Sequence, residues 1–294
     1  MEWKSRRIEA ILEHALQEDK ATSDVTTALT VDPGLRAAAT ILAKEECVLA
    51  GLGCVPRFLE IFARLDGKSS GRFEVVSHPE IFDGVRLRKG QAIAVIRHNA
   101  RVILGCERVI LNLMQRMSGI ATLTRRYVDE VRGTSAKVLD TRKTIPGLRV
   151  LDKYAVRCGG GENHRLDLSD GILIKNNHIS LGGGIEKVLE RAKERRKPGQ
   201  TIDIEVRNLA ELETALSHGA ESLLLDNMTP ADVKKCVERV REQGGKTPVE
   251  ASGGITLENI RKYALAGADY ISVGALTHSA TAVDLSMRIT AEIY

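Results

Sequence analysis

Aromatic residues make up only 3% of this 294-residue chain. Proteins that bind single-stranded nucleic acid stack bases on aromatic side chains, so this low content argues against such a surface. A large excess of one charge is missing as well, because 43 basic residues stand against 39 acidic ones and leave a formal net charge of +4. That balance is too even for a dedicated nucleic-acid binder, and we expect any electropositive function to be local.

Cysteine pairs with metal-ligand spacing are also missing. The five cysteines are scattered and form no Cys-x-x-Cys pair, which argues against a zinc ribbon and against a disulfide framework. No 18 apolar residues run together, and the first 16 residues have the spacing of an amphipathic helix rather than of an apolar targeting segment. We therefore expect a cytoplasmic protein that does not enter a membrane.

From about residue 137 onwards, short apolar runs alternate with helical segments. Continuous apolar runs of this length are typical of strands that are buried on both faces of a parallel sheet. Their alternation with helices predicts a wound α/β sheet or a (β/α) barrel. Six runs are clear, so an open barrel fits better than a closed barrel of eight strands. The runs cover residues 137–141, 171–175, 201–206, 222–226, 248–252 and 270–274.

The first half of the chain has a different pattern. Extended segments are predicted within residues 37–51 and at 71–78 and 90–99, with a helix over 55–67. A long helix is predicted for residues 101–133, with an interruption at Ser118-Gly119, and it connects the two halves.

Polar residues follow the predicted barrel strands. In (β/α) barrels the active site lies at the carboxyl ends of the strands. A single residue there has an ordinary explanation, since Lys175 alone reads as a solvated loop lysine, but the whole set predicts one shared active site. The strand ends carry Thr141, Arg142, Lys143, Lys175, Glu205, Asp226, Ser252 and Gly274.

Charge and glycine indicate which ligand such a site takes. Glycine-rich turns at residues 251–256 and 272–280 follow the last two strands, where main-chain N–H groups bind phosphate in many barrels. A cluster of cations repels itself unless a polyanionic ligand joins it. Glu205 and Asp226, the only acids at the predicted strand ends, suit a divalent metal, sugar hydroxyls or developing positive charge. Phosphoribosyl diphosphate with Mg²⁺, together with an acidic acceptor, meets these requirements. The cations are Arg142, Lys143, His164, Arg165 and Lys175, with Arg108 as a candidate sixth.

These residues lie in segments that resemble the quinolinate phosphoribosyltransferases, also called nicotinate-nucleotide diphosphorylases. The match spans nearly the whole chain in the order of the family. The resemblance implies an N-terminal α/β sandwich domain (1–111), an open barrel of seven strands (112–278) and a C-terminal helix (279–294) that packs back on the first domain. It also implies a dimer or larger homo-oligomer whose active sites are shared across the interface. The segments are "ERVILNLMQRMSGIAT" (107–122), "DTRKTIPGLR" (140–149), "KYAVRCGGGENHRLDLSDGILIKNNHI" (153–179), "LLLDNM" (223–228) and "EASGGI" (250–255).

The reaction that the resemblance implies belongs to de novo NAD biosynthesis. Quinolinate and phosphoribosyl diphosphate give nicotinate mononucleotide, diphosphate and CO₂. Catalysis falls to Lys143, Glu205 and Asp226, and the two acids also lie near Mg²⁺. One departure is Lys44, which stands where we expect an arginine and lacks the planar fork of that residue. Quinolinate is assigned to Arg108, Thr141, Arg142, His164, Arg165 and Lys175, and the 5′-phosphate to Ser252, Gly253, Gly254, Gly274, Ala275 and His278.

Three other functions fit parts of the pattern. One is that of a paralogue of the same fold, a pyrophosphorylase-like protein linked to molybdenum transport. Another is a Schiff-base aldolase or isomerase that uses Lys143 or Lys175, a chemistry that needs a lysine in a pocket that lowers its pKa. A non-catalytic anion-binding module is the third, and it leaves Glu205 and Asp226 without a role.

Overall fold

The computed structural model describes residues 1–67 and 72–292. In these ranges, no helix has both the length and the apolar composition that a membrane span needs. The helices are α1 (Arg6–Glu18), α2 (Val25–Thr30), α3 (Cys54–Asp66), α4 (Ala100–Glu130), α5 (Arg149–Cys158), α6 (Asn176–Gly182), α7 (Ile185–Arg195), α8 (Leu209–Ser217), α9 (Pro230–Glu242), α10 (Ile260–Leu265) and α11 (Ala275–His278). The strands are β1 (Arg36–Ala43), β2 (Cys47–Val48), β3 (Glu74–Val76), β4 (Arg86–Leu87), β5 (Ala92–Asn99), β6 (Lys137–Leu139), β7 (Ile172–Ile174), β8 (Ile202–Val206), β9 (Ser222–Asp226), β10 (Val249–Ser252), β11 (Tyr270–Ser272) and β12 (Leu285–Ala291).

The chain divides into two compact units. The first contains residues 1–123, 145–160 and 280–294, and the second contains residues 124–144 and 161–279. This division differs from the predicted boundary at residue 111, because α4 contributes to both units and α5 belongs to the first.

The first unit is built on a four-stranded antiparallel sheet in the order β12-β1-β5-β3. Every second residue of β1 is buried, which gives this strand one core face of small and apolar side chains. Helices α1 and α3 pack on each other, and both are amphipathic. Sheet and helices confirm the predicted α/β character of this unit.

The predicted C-terminal helix is wrong. Residues 285–291 form strand β12, which pairs with β1 from Ala43↔Leu285 to Ala37↔Ala291. Leu285, Met287 and Ile289 recur with a period of two, which suits one face of a strand and not a helix. The last two residues of the predicted helix, 293 and 294, lie outside the described residues.

The predicted interruption of the long helix is also wrong, because α4 is continuous through Ser118 and Gly119. The Ser118 hydroxyl accepts a hydrogen bond from Ala50 N at 3.0 Å. A Cβ on Gly119 would lie 2.1 Å from the carbonyl oxygen of Thr281. This glycine therefore allows a close backbone contact inside the first unit rather than a break in the helix.

The second unit contains a six-stranded parallel sheet in the order β6-β11-β10-β9-β8-β7. All six predicted barrel strands are confirmed, and all their carboxyl ends lie at one edge. The expected seventh strand is reduced to one bridge between Leu139 and Glu162. Beyond this bridge, His164 N donates a hydrogen bond to the Asp140 carboxylate at 2.8 Å instead of continuing a strand.

Candidate active site

A cavity of about 470 Å³ opens at the carboxyl edge of the parallel sheet. Residues that end or follow all six strands line it, and its volume is that of a site for small molecules. Of the predicted site residues, Arg108 belongs to the first unit and is not in the lining. The predicted residues that line the cavity are Thr141, Arg142, Lys143, His164, Arg165, Lys175, Glu205, Asp226, Ser252, Gly253, Gly254, Gly274, Ala275 and His278.

Glu205 and Asp226 lie on the neighbouring strands β8 and β9. Burial raises the pKa of Glu205, and the negative charge of Asp226 raises it further. The Asn176 side chain, at the start of α6, donates a hydrogen bond to Glu205 Oε1. The two carboxylates are therefore close enough to repel each other, and this pocket gains from any positive charge placed beside them.

Asn227 connects the acids to the glycine-rich turn after β10. It has a left-handed φ of 54°, which is uncommon outside glycine. Its backbone N–H donates to Ser252 O at 2.8 Å, and its side-chain Nδ2 donates to Asp226 Oδ2 at 3.0 Å. Asn227 thus fixes the position of one acid relative to the turn.

The turn itself is shaped by Gly253 and Gly254, whose φ values of 93° and 63° favour glycine. A Cβ on Gly253 would lie 2.3 Å from Asn227 Oδ1. Asn259 Nδ2 donates to Gly254 O at 2.9 Å. This turn does not lead directly into a helix, because α10 begins only at Ile260.

The second glycine turn does start a helix, since Gly274 is the N-cap of α11. A Cβ at this position would come within 3.1 Å of His278 Nε2 and of Lys143 Cδ. The Thr277 hydroxyl donates to Lys143 O at 2.9 Å and so ties α11 to the loop after β6. The side chains of Lys143 and His278 therefore meet at Gly274, whose own backbone carries no side chain.

The cationic side of the cavity is built around Arg142 and Arg165. Burial lowers the pKa of Arg165, and the charge of Arg142 lowers it further, whereas the charge of Asp203 opposes the shift. Repulsion between two partly buried guanidinium groups is relieved by an anion that binds both.

The cavity lining contains a third acid, Glu250, besides the two acids predicted at the strand ends. Glu250 of β10 is 7% exposed. Ser272 Oγ donates a hydrogen bond to Glu250 Oε1, and Glu250 Oε2 lies 3.4 Å from His164 Nε2. Asp203 lies in the same region, and its pKa is raised by burial and then by the charge of Glu250. The cations of this cavity therefore have acidic neighbours.

Sequence reasoning missed Glu250, Asn227, Asn176 and Asp203. A signal existed for Glu250, which is two residues before Ser252 and therefore points to the same face of the strand. Glu205 and Asp203 have the same relation on β8. No such signal marks the two asparagines, because their roles depend on contacts between loops.

Arg108 and Lys44 are exposed residues of the first unit. Among the described residues, Arg108 has no ion-pair partner, and it lines a second cavity of about 720 Å³ with His14 and Arg116. Lys44 N donates to Asp284 O at 2.9 Å.

The described residues contain no group of three or more His, Cys, Asp or Glu side chains that can hold a metal ion. The second unit therefore has no all-protein metal cage within its described part. A cation near Glu205 and Asp226 needs further oxygen ligands from a substrate or from water.

Comparison with known proteins gives matches over nearly the whole chain. Residues 24–118 match the family model of the quinolinate phosphoribosyl transferase N-terminal domain, and residues 120–288 match that of the C-terminal domain. Nicotinate-nucleotide pyrophosphorylase (carboxylating) of Mycobacterium leprae is 41% identical over 279 residues, which are 95% of each chain. Quinolinate phosphoribosyltransferase (decarboxylating) 2a, mitochondrial, of Nicotiana tabacum is 38% identical over 97% of this chain and 83% of that protein. The fold is similar to that of NadC from Streptococcus pyogenes, with a TM-score of 0.88 and 36% identity over 97% of both chains.

Proposed function

Because the chain belongs to the quinolinate phosphoribosyl transferase family, with both of its domains, we propose that it makes nicotinate mononucleotide from quinolinate and phosphoribosyl diphosphate. Diphosphate and CO₂ are the other products, and the reaction serves de novo NAD biosynthesis. The chain is a phosphoribosyltransferase.

The order of functional groups along the sheet edge supports this proposal best. From β6 to β7 the strand ends carry Arg142 and Lys143, then the two glycine turns, then the two acids, and finally Lys175. The glycine turns take the 5′-phosphate, and the acids in the middle face the ribose. Lys143 contacts the diphosphate. The quinolinate carboxylates are surrounded by Thr141, Arg142, His164, Arg165 and Lys175.

The mechanism follows from the charges. The nitrogen of quinolinate attacks the anomeric carbon while the bond to diphosphate breaks, and positive charge develops on the ribose. Glu205 and Asp226 stabilise that charge, and the Asn176 hydrogen bond keeps Glu205 in place. The product is a pyridinium ring, which accepts the electron pair left when the adjacent carboxylate departs as CO₂. A proton then fills the vacated position on the ring. The protein binds, orients and neutralises, and no covalent nucleophile is needed.

Mg²⁺ fits this site as a partner of the substrate. Glu205 and Asp226 repel each other, as the raised pKa of Glu205 reflects, and a cation beside them removes that repulsion. Glu205 and Asp226 would hold the ion together with oxygens of the substrate and of water, the ligands that Mg²⁺ prefers. Held there, the ion would supply positive charge that neutralises the diphosphate leaving group.

The same proposal includes a homodimer in which Arg108 completes the site of the partner subunit. Its support is chemical, because Arg108 is an exposed cation without an acidic partner among the described residues. Lys44, also exposed, is a second candidate for such a contact.

A Schiff-base lysine finds less support. Lys143 and Lys175 are both exposed rather than enclosed in an apolar pocket.

A cytoplasmic location stays a prediction, which cell fractionation tests.

The decisive experiment measures products. The purified chain is incubated with quinolinate, phosphoribosyl diphosphate and Mg²⁺, and CO₂ and diphosphate are quantified. We expect equal amounts of both, and neither when one substrate is omitted. Diphosphate without CO₂ would indicate a different acceptor and would contradict the proposal. The molybdenum-linked and Schiff-base alternatives predict no CO₂ from quinolinate.

A further inference from the structure

Glu250 has no role in the function described so far, although it lines the same cavity as the substrate-binding cations. Its side chain is 9% exposed, and that of His164 is 11% exposed. A buried carboxylate is costly unless its oxygens are hydrogen-bonded or paired. Each of its two oxygens has a separate neighbour, which makes its orientation specific.

One oxygen is held by the adjacent strand. Ser252 and Ser272 are partners in the β10–β11 register, and Glu250 lies two residues before Ser252, on the same face of the sheet. Ser272 is 4% exposed and donates its hydroxyl proton to Glu250 Oε1. This contact leaves Oε2 directed at His164.

The imidazole of His164 is fixed from its other side by the backbone. Arg165 N donates to His164 Nδ1 at 2.8 Å, so Nδ1 acts as an acceptor and carries no proton in this arrangement. The ring proton is then on Nε2, which lies 3.4 Å from Glu250 Oε2. His164 N also donates to Asp140 Oδ1 at 2.8 Å, which anchors the main chain of this residue.

We propose that Glu250 is a positioning residue that accepts a hydrogen bond from His164 Nε2–H and fixes the tautomer and orientation of this ring. Ser272 orients Glu250, and Glu250 orients His164. Both ring nitrogens are then engaged within the protein, so His164 contributes a fixed ring to the wall of the quinolinate pocket rather than a free N–H donor. Glu250 acts on the substrate only through His164, a consequence that rests on the function proposed above.

A double-mutant cycle tests this dependence. Glu250→Ala should raise the KM for quinolinate several-fold, because the ring of His164 no longer keeps its place in the pocket wall, and change kcat by less than about twofold. In a His164→Ala background the same change should have no further effect, because the residue through which it acts is gone. An equal effect of Glu250→Ala in both backgrounds would overturn the proposal.

The conservative variant separates the hydrogen bond from the charge. Glu250→Gln keeps an oxygen that accepts from His164 Nε2–H and an amide that donates to Ser272 Oγ, so its KM should be near that of the wild type. It also covers the case in which the alanine variant does not fold. A glutamine variant as impaired as the alanine variant would contradict a positioning role. Glu238→Gln, an exposed residue of α9, is the matched control for loss of one negative charge.

A spectroscopic measurement tests the tautomer without any substrate. In ¹⁵N-labelled wild-type protein at pH 8, the His164 signal, assigned by its loss in His164→Ala, should be that of a ring protonated on Nε2. A ring protonated on Nδ1 would overturn the proposal. If the wild type fails to bind quinolinate, the proposed function fails, and this measurement still decides the arrangement of His164.

Discussion

At the scale of single residues, Glu205 on β8 and Asp226 on β9 are proposed to stabilise the positive charge that develops on the ribose in the transition state. Glu205→Gln and Asp226→Asn should each lower kcat by roughly 10²- to 10³-fold, because these carboxylates act mostly on positive charge that appears in the transition state. Quinolinate should still bind, since its carboxylates are held by other residues. Steady-state kinetics and calorimetry measure both quantities. Loss of quinolinate binding in either variant would show that these acids belong to the quinolinate site.

His98 on β5 predicts a pH dependence of stability that is unrelated to catalysis. Its ring is fully buried, and neither nitrogen has a hydrogen-bond partner among the described residues. Burial, and then the charge of Arg36, lower the pKa of His98 from 6.5 to about 4. Below pH 6.5 the unfolded chain therefore takes up a proton that the folded state does not. The stability that depends on this group is complete above pH 6.5 and is lost as the pH falls towards 4.

From that shift, the wild type should lose about 2 kcal/mol of unfolding free energy through His98 between pH 7.5 and pH 5. Urea denaturation of the wild type and of His98→Leu at both pH values measures the difference. The leucine variant removes the titrating group, so its stability should fall less over this interval. Equal pH dependence in the two proteins would contradict a buried neutral His98.

Sequence reasoning located the cationic and glycine-rich parts of the site because these residues follow predicted strands directly. Glu250 was missed because it lies two positions before the end of its strand, although its side chain points to the same face as the last residue. The role of Asn227 was missed because the left-handed backbone there depends on a hydrogen bond to a turn on another strand. Contacts of that kind are set by tertiary structure.

At the scale of elements, helix α4 contains an interior glycine, Gly119, that permits a close contact with the backbone of Thr281. Replacing an interior glycine of a helix by alanine normally stabilises the helix by about 1 kcal/mol. Gly119→Ala should do the opposite and destabilise the protein by roughly 1–3 kcal/mol, because the new methyl group meets the backbone oxygen of Thr281. Thermal and urea unfolding report the sign. A stabilised variant would show that residues 280–282 do not pack on α4 in this way.

The strands and helices were predictable where the apolar pattern was strong, and the six barrel strands are the example. The wrong predictions of secondary structure concern residues whose local pattern is compatible with two different structures. Ser118-Gly119 is a breaker pair in isolation, and only its contacts with Ala50 and Thr281 explain why the helix continues. The end of the chain was assigned to a helix although its apolar residues alternate, and the partner strand that uses this alternation is far away in sequence.

At the scale of the whole molecule, the proposed sharing of active sites predicts complementation. Arg108→Ala and Lys175→Ala should each be inactive, since each leaves a substrate carboxylate without one of its cations. In a mixed dimer, one site collects both defects and the other is intact, so an equal mixture with free exchange should recover about a quarter of wild-type activity. The two proteins are mixed under mild denaturant and assayed for CO₂ release. No recovery, with exchange confirmed by mass spectrometry of differently tagged chains, would place both residues in one subunit's site.

The pairing of β1 with β12 determines when the sheet of the first unit can be completed during synthesis. Strand β1 is synthesised long before β12, so one side of β1 stays an unpaired edge until residues 285–291 have been made. The second unit has all its strands before β12 emerges. The unit that is synthesised first is therefore completed last. The long separation of β1 and β12 costs little stability, because each doubling of loop length adds only about 0.6 kcal/mol to the free energy of loop closure. Until β12 pairs, however, the open edge of β1 is exposed to other nascent chains.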